Sequence, residues 1–79
     1  MDKEKLKEVL RNVCGIKDME IKGEYSLKDD LHMNSFSFMM LMAELENTLG
    51  CEIQPDIFIR TETVEDLYNR LQDMLGEKK

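Results

Sequence analysis

The hydrophobic positions of this chain follow a helical repeat in three separate stretches. The first stretch keeps the i, i+3, i+4, i+7 spacing that places apolar side chains on one face of a helix, through Leu6, Val9, Leu10 and Val13. Asp2 precedes this stretch as a possible N-cap, and Gly15 follows it, where a left-handed residue often ends a helix. The pattern therefore predicts a first helix over residues 3–14.

The second stretch opens at Asn34 and Ser35, either of which is a good N-cap, and stops before Gly50. It predicts a helix over residues 35–49. One stripe of this helix suits the protein core, and it contains Phe38, Leu41, Met42, Leu45 and Leu49. Nearly opposite that stripe lie Phe36, Met39, Met40 and Ala43. Because a large apolar side chain left in water forgoes about 1.5–3 kcal/mol, we predict that this second face binds a partner.

A short connector over residues 51–54 separates the second helix from Pro55. Proline starts a helix readily but cannot continue one, so residues 56–60 are predicted to form one or two helical turns at most. Either Ile57 or Phe58 is expected to point into the core from these turns.

The third repeat predicts a final helix, and it consists of Val64, Leu67, Tyr68, Leu71 and Leu75. Thr63 followed by Asp66 resembles a capping box in which Asp replaces the usual Glu or Gln. Gly76 is placed to end this helix, and residues 77–79 are expected to fray.

Residues 16–34 show no regular repeat, and turn-forming residues such as Gly23 and Ser26 interrupt them. They predict a long loop held by scattered apolar anchors, namely Ile16, Met19, Ile21, Leu27 and Leu31. Loops of this length are uncommon in compact domains and are often functional.

The whole pattern predicts an all-α fold: a small antiparallel bundle of three main helices plus one short helix, with a long first loop, in a single domain over residues 1–79.

Composition narrows the possible partners of this domain. The chain has 17 acidic residues against 11 Lys and Arg, a formal net charge of −6 that repels nucleic acid and anionic membranes and favours basic partners. The sequence has no signal peptide pattern and no apolar run long enough to span a bilayer, so we predict a cytoplasmic protein that binds neither nucleic acid nor membranes. Cys14 and Cys51 have no metal-ligand spacing, so they are predicted to be reduced, partly buried thiols rather than a zinc site.

Ser35 is the most interesting polar side chain, because it lies where the positive end of a helix dipole is expected. A phosphate ester at this position would be favoured by about 0.3–1 kcal/mol. Catalysis by a serine requires a base, and the chain has a single histidine, His32. We predict that His32 is an exposed loop residue. The alternative is that it contacts a phosphate near Ser35. Glu44 and Glu46 diverge on a helix, so they form no acid–base pair. The chain is therefore predicted to be a substrate or binder with no catalytic residue of its own.

These features together resemble the acyl carrier protein family, whose members carry fatty acyl, polyketide or aminoacyl groups. The resemblance covers nearly the whole chain: an amphipathic first helix, a long loop ending in Asp30 and Leu31, Ser35 at the head of the second helix, a short element containing Pro55, and residues 63–67 opening the last helix. In that family the serine of an Asp-Ser-Leu motif is esterified by 4′-phosphopantetheine. The resemblance implies that Ser35 is the attachment site and that 4′-phosphopantetheine is the cofactor.

Four positions depart from the usual family pattern. Asn34 replaces the usual Asp, Phe36 replaces the usual Leu, His32 stands where many members have Gly, and Met40 stands where many fatty-acid carriers have an acidic residue. The second helix is consequently less negative and more apolar than in most members. These departures suggest a specialised pathway rather than housekeeping fatty-acid synthesis.

The resemblance also implies the partners. A separate Mg²⁺-dependent phosphopantetheinyl transferase would move the arm from coenzyme A to Ser35, and acyl- or aminoacyl-loading and processing enzymes would then dock on a monomeric carrier. The residues expected to contact these enzymes are Asn34, Phe36, Met39, Met40, Ala43, Glu44 and Glu46. Two alternatives remain open: an unmodified helical interaction module that uses the Phe36, Met39 and Met40 face, and a carrier-like adaptor subunit of a larger assembly.

Overall fold

The computed structural model describes residues 2–16, 19–58 and 61–76. Three α-helices occur in the described part of the chain: α1 (Lys3–Cys14), α2 (Ser35–Leu49) and α3 (Val64–Leu75). A single 3₁₀ turn (Pro55–Phe58) lies between α2 and α3. The predicted all-α class and the bounds of all three helices are confirmed. The last two residues of the predicted short helix, 59 and 60, and the predicted frayed end, 77–79, lie outside the described residues.

The helix ends form as their capping residues predict. The Asp2 side chain accepts a hydrogen bond from the Lys5 N–H, and Thr63 and Asp66 form a reciprocal capping box at the start of α3. Each helix ends at a glycine in the left-handed region, with φ of 69° at Gly15, 69° at Gly50 and 72° at Gly76.

The core is built from all three helices, the long loop and the 3₁₀ turn. Its fully buried helical leucines are Leu6, Leu10, Leu41, Leu45, Leu67 and Leu71. Of the predicted core stripe of α2, Leu41 and Leu45 are completely buried, whereas Phe38, Met42 and Leu49 are half-buried and pack against the core from its edge. The Phe38 ring lies 5.0 Å from the Phe58 ring, centroid to centroid, so α2 also packs against the 3₁₀ turn.

The long loop is fixed to the start of α3 by backbone pairing, which we call the bridge (residues 23–27 with residues 62–65). The Leu27 N–H donates to the Glu62 carbonyl at 2.9 Å, and the Val64 N–H donates to the Tyr25 carbonyl at 3.0 Å. A third bond joins the Glu65 N–H to the Gly23 carbonyl at 2.8 Å. Sequence patterns predicted the loop and its apolar anchors, but they did not predict the bridge.

Gly23 lies against the Glu65 side chain where the loop passes α3. A Cβ atom at this position would lie 2.8 Å from Glu65 Oε1 but 3.5 Å from Glu65 Cβ. A larger residue would therefore displace the end of the Glu65 side chain, which is partly exposed, and would leave the backbone of the bridge in place.

The cysteine prediction is correct for one residue and wrong for the other. Cys14 is half-buried, and burial raises the pKa of its thiol. Cys51 is exposed, because it follows Gly50 directly and the connector buries Ile53 instead. Both residues are free thiols.

The described helices are too short and too polar for any of them to cross a membrane.

The two faces of α2 differ in what they contribute to stability. Leu41→Ala removes a completely buried side chain, so we expect it to lower the free energy of unfolding by about 2–5 kcal/mol. Met39→Ala, on the exposed face of the same helix, should change it by less than about 0.5 kcal/mol. Urea unfolding followed by circular dichroism measures both, and equal effects would contradict the orientation of α2.

Candidate functional site

Ser35 is exposed and is the first residue of α2. The N-cap is Asn34: its Oδ1 atom accepts hydrogen bonds from the Ser37 N–H at 2.9 Å and from the Ser37 hydroxyl at 3.3 Å. The Asn34 carbonyl accepts the first helical bond from the Phe38 N–H at 2.9 Å. Because Asn34 caps the helix, the cap does not use the Ser35 hydroxyl.

The local electrostatics favour an anion at this position. The first backbone amides of a helix have no partner within the helix, and at the start of α2 those of Ser35 and Phe36 are not used by the Asn34 side-chain cap. The first turn of α2 contains no acidic residue that would repel an anion. Stabilisation of a phosphodiester on Ser35 stays a prediction.

An open cavity of about 780 Å³ lies directly beside Ser35. Its apolar lining includes Met33, Phe38 and Phe58. Its charged lining is one ammonium and two carboxylates, from Lys28, Asp29 and Glu62. The cavity gives a tethered group room next to the serine. Lys28 could not be predicted at this cavity, because it precedes Ser35 by seven residues in an irregular loop.

The loop reaches Ser35 through residues that alternate between core and solvent. Leu31 and Met33 are buried, whereas His32 and Asn34 are exposed. The Met33 N–H donates to the Leu27 carbonyl at 3.0 Å, which ties this approach to the bridge. Buried anchors on both sides of His32 thus fix the position from which α2 starts.

His32 is an exposed loop residue, as predicted, and it has an unusual backbone conformation. Among the described residues it is the only residue other than glycine with a positive φ, at 57°. The left-handed region costs a residue with a Cβ atom about 1–2 kcal/mol. A glycine at this position would adopt the same φ without that cost.

The remaining predicted contact residues do not all share one surface. Phe36 is 68% exposed, Met39 is 67% exposed and Met40 is 40% exposed, and Ala43 and Glu44 are exposed as well. Glu46 differs, because its Oε2 atom accepts a hydrogen bond from the Ile53 N–H at 2.9 Å and so holds the connector after α2. The role of these residues in binding partners stays a prediction.

Comparison with known proteins agrees with this site. The family model described as phosphopantetheine attachment site matches residues 4–71. The chain is 30% identical over 67 residues to an acyl carrier protein of Thermobifida fusca, with 85% of each chain covered. It is 31% identical over 70 residues to an acyl carrier protein of Rubrobacter xylanophilus, with 84% of this chain and 86% of that one covered.

Solved structures share the fold. A protein from Mycobacterium tuberculosis described as an acyl carrier protein superimposes with a TM-score of 0.81 at 24% identity, covering 91% of this chain and 96% of that one. A type II acyl carrier protein from Streptomyces verticillus, involved in bleomycin biosynthesis, gives a TM-score of 0.78 at 15% identity, covering 92% of this chain and 84% of that one. The chain therefore belongs to the phosphopantetheine attachment family, and within it to the acyl carrier proteins, whose prosthetic group is covalently attached 4′-phosphopantetheine.

Because the backbone of His32 is left-handed, we predict that glycine at this position stabilises the folded protein. His32→Gly should raise the free energy of unfolding by about 0.5–1 kcal/mol, because relief of the left-handed strain exceeds the extra entropy of an unfolded glycine. His32→Ala is the matched control: it also removes the imidazole but keeps the Cβ atom, so it should give no such gain. Urea unfolding of both variants measures the difference, and equal stability would contradict the assigned conformation.

Proposed function

We propose that this protein carries acyl or aminoacyl groups as thioesters on a 4′-phosphopantetheine arm attached to Ser35. The presentation of Ser35 supports this proposal: the residue is exposed, begins α2, is not used as the helix cap, and borders an open cavity. Chemically, the arm supplies a terminal thiol that forms the thioester. The protein supplies the oxygen that anchors the arm and a surface that enzymes can bind.

The residues around Ser35 suit an anchor rather than a catalyst. The amides at the start of α2 favour the negative charge of a phosphodiester, and the first turn of that helix has no acidic residue. Activation of the hydroxyl is assigned to a separate phosphopantetheinyl transferase, which transfers the arm from coenzyme A and releases the remaining nucleotide. In this proposal the chain is a substrate of that enzyme and has no catalytic residue of its own.

The pathway is proposed from the surface of α2. Met40 and Phe36 make this helix more apolar near Ser35 than the usual family pattern, which favours a specialised role in polyketide or peptide biosynthesis over general fatty-acid synthesis. The similarity to a carrier involved in bleomycin biosynthesis concerns the fold alone. A monomeric carrier in the cytoplasm, in one domain over residues 1–79, remains our prediction.

A second candidate function follows from the same exposed side chains. Phe36 and Met39 are each about two-thirds exposed, which suits a protein-binding surface even without a prosthetic group. An unmodified interaction module, or an adaptor subunit of a larger assembly, would bind its partner through this face. Such a partner would co-purify with the Ser35→Ala variant as well as with the wild-type protein.

Intact-mass spectrometry tests the proposed function. Incubation with coenzyme A, Mg²⁺ and a promiscuous phosphopantetheinyl transferase should add about 340 Da to the wild-type protein, one arm per chain. Ser35→Ala should gain nothing, because the anchoring oxygen is gone.

Ser37→Ala provides the matched control, because Ser37 lies two residues further into the helix, in the same first turn. This variant should accept the arm, since Asn34 can still bond the Ser37 backbone N–H. Modification of Ser35→Ala would reject Ser35 as the attachment site and place the arm on another residue. No modification of the wild-type protein would reject the carrier function and favour the unmodified interaction module.

A further inference from the structure

The net charge of this protein is confined to one part of the sequence. Residues 29–59 contain six carboxylates and no Lys or Arg, whereas the rest of the chain has eleven residues of each sign. The formal charge of −6 therefore belongs entirely to the segment that contains α2 and the connector after it. Long-range attraction of a basic partner therefore comes from this segment, and its carboxylate at the groove described below is Glu44.

The first part of α2 is uncharged despite this concentration of acids. No charged residue occurs from Ser35 to Ala43, and Glu44 is the first. The exposed side chains of this part are spaced i, i+3, i+4, i+7 along one helix face, as Phe36, Met39, Met40 and Ala43. A continuous apolar stripe thus runs from the start of α2 to the first acidic residue.

The far end of this stripe opens into a groove between two helices. The groove has a volume of about 350 Å³ and is lined by Asn12 and Val13 of α1 and by Met40, Ala43 and Glu44 of α2. Val13, Met40 and Ala43 make it largely apolar, and Glu44 supplies a carboxylate at its edge. This combination suits an apolar side chain of a binding partner that has a Lys or Arg next to it.

We propose that the groove between α1 and α2 is an anchor site for the enzyme that modifies Ser35, which inserts an apolar side chain flanked by Lys or Arg. The inference deepens the proposed carrier function and rests on it. It extends the docking surface beyond the predicted residues of α2 to Asn12 and Val13 of α1.

The distances allow one enzyme to occupy Ser35 and the groove together. Ala43 is eight residues along α2 from Ser35, or about 12 Å at the helical rise. A standard protein interface covers about 800 Å² of each partner, which is wide enough to include both positions.

A second copy of this chain is a poor occupant of the groove. Each copy has a formal net charge of −6 and would bring Glu44 to the interface, and like charges placed together oppose association. A basic partner instead gains from the same charges, which is why the occupant is assigned to an enzyme with a cationic rim.

Two pairs of charge-matched variants test the groove through the kinetics of Ser35 modification. Ala43→Glu and Asn12→Glu each place a carboxylate in the groove, one from each wall. Thr48→Glu in the last turn of α2 and Asn69→Glu in α3 add the same charge at exposed helical positions that do not line the groove. The four variants alter only exposed side chains, and circular dichroism confirms that each is folded.

The assay measures kcat and KM for transfer of the arm from coenzyme A by a promiscuous phosphopantetheinyl transferase. An added carboxylate inside the groove would be desolvated beneath the inserted apolar side chain, and this cost should outweigh its attraction to the cationic rim. Both groove variants should therefore lose about tenfold or more in kcat/KM, mainly through a higher KM, whereas both controls should stay within about twofold of the wild type. Equal effects of groove and control variants would overturn the anchor site. A loss for Ala43→Glu with none for Asn12→Glu would also overturn it, because docking would then use α2 alone.

Two further outcomes separate this inference from its alternatives. Normal modification of the wild type together with unaffected groove variants would overturn the anchor site and leave the carrier function standing. No modification of the wild type would overturn both. A dimer of the wild-type protein by light scattering that Ala43→Glu dissociates would assign the groove to a second copy instead.

Discussion

The backbone bridge between the long loop and the start of α3 is the constraint on which this structure depends. Leu27 donates to Glu62, and Val64 donates to Tyr25, so the middle of the loop is held against the N-terminus of the last helix. These bonds satisfy backbone groups that neither the loop nor α3 can pair internally. A third bond joins the Glu65 N–H to the Gly23 carbonyl. Together these bonds offset part of the entropic cost of ordering a long connection, and they give it one defined path.

That path determines how Ser35 is presented. From the bridge, Leu31 and Met33 anchor the chain in the core, and Asn34 then caps α2. The serine is left exposed at the first position of the helix, where unpaired amides favour an anion. In the proposed carrier function, the chain itself needs no reactive group. It needs a fixed oxygen beside open space and a face to which enzymes bind. We assign that binding to the exposed apolar side chains of α2 and the carboxylates near them.

The sequence was sufficient to predict those parts of the molecule that depend on interactions between residues close together in the chain. Helical repeats, capping residues and terminal glycines are encoded within a few residues, so the bounds of α1, α2 and α3 and the exposed position of Ser35 followed from them. Contacts between distant segments leave no such signal. The bridge uses backbone atoms, Lys28 reaches the cavity only through the path of the loop, and Glu46 pairs with the connector. Cys51 is exposed because Ile53 is the connector residue that packs into the core. A short irregular segment has no repeat from which the buried residue could be predicted.

Amide hydrogen exchange by NMR tests the central claim that a fixed loop, rather than a loose one, delivers Ser35. The Leu27 and Val64 amides form the bridge, so they should be protected from exchange to nearly the same degree as the Leu10 and Leu41 amides inside α1 and α2. Opening of the bridge would then require an opening free energy close to that of global unfolding. Exchange of Leu27 and Val64 at unprotected rates, while the helix amides remain protected, would contradict this account.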